Sequence, residues 1–91
     1  MIARLSGTIW SIEEECVVIR TGGGVGLQVH VPSDTLTQLD GAGKPVELFT
    51  HLHVRENDLT LYGFLTKDER SLFQLLLSVS GVGPKVAMAL L

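Results

Sequence analysis

Five short β-rich stretches, a helical insertion after the third, and a change from strand-like alternation to a helical period after residue 64 set the expected fold. They predict a five-stranded β barrel of OB type over residues 1–64. The start of an α-helical domain, its first helix-hairpin-helix, is expected over 65–91. An open five-stranded sheet satisfies the same periodicity.

The first stretch, "IARLSGTIWSI", is long and rich in β-formers, and Gly7 inside it marks a bulge or bend. "EECVVIRT" follows a short acidic turn. Gly22–Gly24 then supply a hairpin. In "VGLQVHV", Val25, Leu27, Val29 and Val31 alternate with Gly26, Gln28 and His30, the pattern of a half-buried strand. Pro32, Ser33 and Asp34 open a short helical turn that Gly41, Gly43 and Pro45 close. "VELFTHLHV" and "LTLYGF" are the last two strands, joined by a tight turn at "RENDL".

Beyond residue 64 the signals are helical. Thr66 and Glu69 have the spacing of a capping box. Leu72, Leu76 and Val79 form an apolar stripe that Phe73 and Leu75 widen. Gly81 stops this helix in the left-handed position, and Pro84 suits the first turn of the next. Val86, Ala89 and Leu90 begin its apolar face.

Composition narrows the function classes. No apolar run approaches the roughly 20 residues of a membrane span, and the N-terminus lacks the apolar core of a signal peptide. No membrane role is therefore expected, and the cytoplasm is the expected compartment. Cys16 is the only cysteine, so it forms no intrachain disulfide and reads as a small buried thiol. The net charge of −3 is uneven. Residues 1–63 carry four basic against eight acidic side chains, whereas residues 64–91 carry three against two. A nucleic-acid contact therefore fits the tail better than the barrel.

"GVGPK" at 81–85 is the strongest functional signal. Two glycines around a small residue turn the backbone sharply at a helix N-terminus, where amides and the helix dipole favour an anion. Lys85 adds a cation. Gly81, Val82, Gly83 and Lys85 are thus the candidate phosphate-binding residues, in the manner of a helix-hairpin-helix that grips DNA backbone without reading bases. A plain glycine-capped helix connection is the competing reading. Arg55, Glu56, Asn57 and Asp58 form a charged tip between two apolar strands. Such a tip is a polar turn or an acidic projection that repels phosphates.

Other motifs carry less. "GAGK" at 41–44 lacks the earlier glycine and the Ser/Thr of a phosphate-binding loop. "GGGVG" opens no helix. His30, His51 and His53 have no carboxylate or cysteine at ligand spacing, so no metal is expected. Ser78 and Ser80 lack a base at readable spacing. No catalytic constellation and no cofactor motif is present, so a non-catalytic binding protein is expected. Trp10 or Tyr62 could stack on bases in a generic single-strand module. A DNA-independent assembly module also fits the acidic balance.

Taken together and in order, "MIARLSG", "GGVG" at 23–26, "FTHLHVRENDLTLYGF" at 49–64, "KDERSLFQLLL" at 67–77 and "SGVGPKVAMALL" at 80–91 resemble the RuvA family. Its members are the bacterial Holliday-junction-binding subunits of the branch-migration machinery, in recombination and DNA repair. The resemblance implies an OB-type barrel, a domain with two helix-hairpin-helix motifs, and a linked small helical domain. It implies a flat homotetramer on four-way junction DNA, with the RuvB ATPase as motor partner and the RuvC resolvase as a further partner. On this pattern Gly81, Val82 and Gly83 offer backbone to phosphate, Lys85 adds charge, and Glu56 is the first acid of a central pin. The family pattern there is Arg-Glu-Asp, whereas this chain has Arg55-Glu56-Asn57-Asp58, so Asp58 supplies the second acid from a shifted place. Leu27 stands where an aromatic is common. The second hairpin and the RuvB-binding domain are absent from these 91 residues, so a fragment of a longer protein is expected.

Overall fold

A computed structural model describes residues 1–91. Alternating side chains decide which face of each strand turns inward. On β1 (Arg4–Ile12), Leu5 and Ile9 are buried between exposed neighbours. β2 (Cys16–Arg20) contributes Val17 and Ile19, and β3 (Gly26–His30) contributes Val29. β4 (Pro45–Arg55) and β5 (Asp58–Phe64) add Leu48 and Leu61. These residues form one core cluster.

The five strands close into a barrel in the order β1-β2-β3-β5-β4. That closure excludes the open sheet. All neighbours are antiparallel except β3 and β5, which run parallel and pair only at Val29–Leu61 and His30–Tyr62. The insertion is helix α1 (Ser33–Gln38), and Leu36 and Leu39 from this segment pack onto the barrel core. Cys16 is a buried free thiol, as its sequence context predicts.

Gly7 does not mark the bulge. Ile9 pairs with Ile19 but Ser11 pairs with Val18, so Trp10 is the extra residue. Gly7 answers a different need. A Cβ there would stand 2.4 Å from the Arg20 carbonyl oxygen and 2.8 Å from Ile19 Cγ2. The strands approach too closely for any side chain.

Helix α2 (Lys67–Leu77) starts at the predicted capping box. Thr66 Oγ1 accepts from the Glu69 N–H at 3.1 Å, and the Glu69 carboxylate accepts from the Thr66 N–H at 3.2 Å. Helix α3 (Pro84–Ala89) begins at Pro84, again as predicted. The apolar faces differ from the expected stripes. Phe73 and Ala87 are buried, with Leu76, Leu77, Met88 and Leu91 packed around them and Phe64 beneath. Leu72, Leu75, Val79, Val86 and Leu90 are exposed. α2 is apolar on two sides, so periodicity alone does not choose which side meets the barrel. The aromatic surface of β4 and β5 makes that choice, because Phe73 lies between the rings of Phe64, Tyr62 and His51 at centroid distances of 5.1, 5.0 and 5.5 Å.

Candidate nucleic-acid interface

The hairpin between α2 and α3 is built as its glycines require. Gly81 has φ +85°, a left-handed value that any Cβ would oppose. Gly83 is extended and caps α3, and its carbonyl accepts the Ala87 N–H at 3.0 Å. No backbone carbonyl takes the N–H of Gly81, Gly83, Lys85 or Val86. A Cβ at Gly81 or Gly83 would meet nothing within 4 Å, so the surface above both is open to a ligand. Val82 differs. Its N–H donates to Val79 O at 3.1 Å, and its side chain packs on the Phe73 cluster. The exposed amides therefore belong to the glycines and the first turn of α3, while Val82 anchors the loop.

Lys85 is exposed on α3. It also borders a groove of about 500 Å³ between α3 and the barrel, where Glu15, His30, Ser33 and Tyr62 are the other polar lining residues. The cation thus has an acidic residue across the groove as well as open solvent.

The charged tip is a two-residue turn. Glu56 and Asn57 occupy its centre, both exposed, and Arg55 pairs with Asp58 at the strand ends. Asp58 is not a second apex acid. It is the first residue of β5, and the Thr60 hydroxyl donates to its carboxylate at 2.8 Å. Glu56 has no such partner and projects alone.

The three histidines do not assemble a metal site, and no group of three or more His, Cys, Asp or Glu side chains converges. Instead, His51 packs against Phe73 and lies 3.3 Å from Gln74 Nε2 through Nδ1. Burial first, and then the positive fields of His53 and Arg70, push its pKa below the ordinary 6.5. Tyr62 stands in the same aromatic cluster, and burial raises its pKa above the ordinary value. Arg55 opposes that rise and Asp58 adds to it. Trp10 is 54% exposed, yet its ring lies over Gly26 with the Arg20 guanidinium 5.7 Å from its centroid. The ring thus covers the sheet at Gly26 while about half of the residue stays exposed. The barrel-to-helix contacts of His51 and Arg70 carry no local sequence signal, because they join residues far apart in the chain.

The family model described as RuvA N terminal domain matches residues 1–63. This chain belongs to the RuvA family. The barrel is accordingly the OB fold of that N-terminal domain. Curated relatives named Holliday junction branch migration complex subunit RuvA align over the whole chain. The protein of Herpetosiphon aurantiacus is 50% identical over 91 residues, which is 46% of its own length. Those of Symbiobacterium thermophilum and Streptomyces coelicolor are 52% and 50% identical, each over 44% of its length. The chain spans about half the length of the curated relatives it matches.

Proposed function

We propose that this chain is the junction-recognising part of a non-catalytic RuvA-type subunit that binds four-way DNA for branch migration in recombination and repair. The observation that carries this reading is the open hairpin with the unpaired N–H groups of Gly81 and Gly83, in a chain of the RuvA family. Phosphate oxygens accept from those amides, and Lys85 adds a point charge. The division of labour is a barrel unit over 1–64 and a hairpin unit over 65–91. Glu56 lies at the apex of a pin that repels phosphates and favours parted strands, and Asp58 reinforces its sign from the strand below. The full assembly is a cytoplasmic homotetramer, with an RuvB-type ATPase supplying the motor and an RuvC-type resolvase acting on the same junction. No helix of this chain is long and apolar enough to cross a membrane.

The test is a comparison of the full-length protein on a four-way junction and on linear duplex of equal length at one salt concentration. Tighter junction binding is expected, and equal affinities would overturn the reading. Lys85→Ala weakens binding and lowers the salt slope by about one. An unchanged slope removes Lys85 from the phosphate contacts. The exposed face of Trp10 favours a second reading, single-strand binding by stacking. Preference for single strands over junctions, with quenching of Trp10 fluorescence, would support it instead.

A further inference from the structure

The barrel and the hairpin helices meet through few side chains, and one of these joins three elements. Arg70 on α2 donates from Nη1 to the Ala3 carbonyl oxygen at 2.6 Å. The same oxygen accepts the Thr50 N–H of β4 at 2.9 Å, so both of its lone pairs are used. Thr50, itself buried, also donates its hydroxyl to Ile2 O at 2.8 Å. The segment before β1 is thus held by β4 on one side and by α2 on the other.

The Arg70 guanidinium also lies over the Phe49 ring, 5.5 Å from its centroid. Arg4 lies 4.9 Å from that centroid and is paired with Glu47. One aromatic ring therefore carries two guanidinium groups, with a carboxylate balancing the nearer one. Arg70 has no carboxylate partner, because Arg4–Glu47 is the only ion pair of the chain. Its Nε–H is buried without a protein acceptor. An arginine kept only for its charge would turn that group to solvent. Here the plane is set by the carbonyl and the ring together.

We propose that Arg70 is a positioning residue. It fixes the angle of α2 against the barrel, and so the place of the Gly81 and Gly83 amides relative to the Glu56 turn. Its effect on DNA rests on the junction reading above, whereas its mechanical effect does not. Lysine lacks the planar fork that places one nitrogen on the Ala3 carbonyl while the guanidinium carbon lies over Phe49.

Spin labels on Asn57→Cys and Ser80→Cys, both exposed sites, report the distance between turn and hairpin. The native Cys16 is buried. The full-length protein, its labelled subunits diluted in an excess of unlabelled ones, is expected to give one narrow distance distribution, and Arg70→Ala and Arg70→Lys to broaden or shift it. Trp10 fluorescence, read from β1, should show both variants folded. A distribution unchanged in both variants overturns the proposal. In the unlabelled Arg70→Ala and Arg70→Lys proteins, the preference for four-way over linear DNA is expected to fall roughly tenfold, the worth of one charge-assisted hydrogen bond. Full preference in Arg70→Lys with loss in Arg70→Ala would mean that charge suffices, and that also overturns it. If the unsubstituted protein shows no junction preference, the DNA reading fails, and the distance measurement still decides the strut.

Discussion

The barrel and the hairpin helices use opposite means to stay folded. The barrel buries eight apolar side chains around a closed ring of strands, and nearly every strand is paired on both sides. The helices bury only Phe73, Pro84 and Ala87 and borrow Phe64 from the barrel for their core. Leu75 and Leu90 remain 64% and 62% exposed. A closed sheet satisfies its own backbone and needs nothing else. Two short helices depend on what they are docked against. The region with the open amides is therefore the region with the smaller core.

The sharpest way to separate the two is Phe73→Ala. It removes the central ring of the smaller core and costs about 3–5 kcal/mol. The helices are expected to undock while the barrel persists, seen as lost amide protection in α2 with an unchanged tryptophan-detected barrel transition. A single shared transition for both regions would break the comparison.

Gly7→Ala strikes the barrel instead. The methyl group meets a backbone carbonyl that cannot move alone. A loss of about 1–3 kcal/mol is expected in denaturant unfolding. Thr66→Ala removes one half of the capping box and should cost about 1 kcal/mol, felt in α2 and not in the barrel strands.

The smallest effect is on pH. The folded pKa of His51 lies below its unfolded value, so the undocked state binds the proton more strongly. The docking contribution is present above pH 6.5 and is lost as pH falls through the lowered folded pKa. Helix protection should thus hold above pH 6.5 and decline as the pH falls below it, and His51→Gln should flatten that slope. An equal slope in the variant would exclude His51 as the source.

Much of the barrel was legible because a strand declares its faces residue by residue. Val29 and Val31 alternate with polar neighbours, and one face had to be inside. The start of α2 was legible because a capping box is local, and the left-handed Gly81 because such a turn needs glycine, but Gly81 does not stop the helix, which ends at Leu77 with Ser78 as its C-cap. The helix faces were not legible. Leu72, Phe73, Leu75, Leu76 and Val79 surround most of α2, and only the aromatic rings of distant strands select Phe73. The purpose of Gly7 was hidden for a similar reason, since the atoms it avoids lie on β2. At the candidate site, the glycines and the acidic apex could be read directly. That Val82 uses its amide inside the turn, and that Arg70 ties α2 to the segment before β1, follow only from three-dimensional pairing.

The parallel seam between β3 and β5 bears on how the chain folds. Every other strand pair within β1-β2-β3 and within β4-β5 joins neighbours in sequence, so these two pieces can form as local hairpins. Joining them requires β1 to find β4 and β3 to find β5 across the α1 segment. Such non-local closure sets the pace of folding in small β proteins. With two residue pairs against the longer ladders elsewhere, the β3–β5 seam should be the last to zip and the first to exchange its amide hydrogens with solvent.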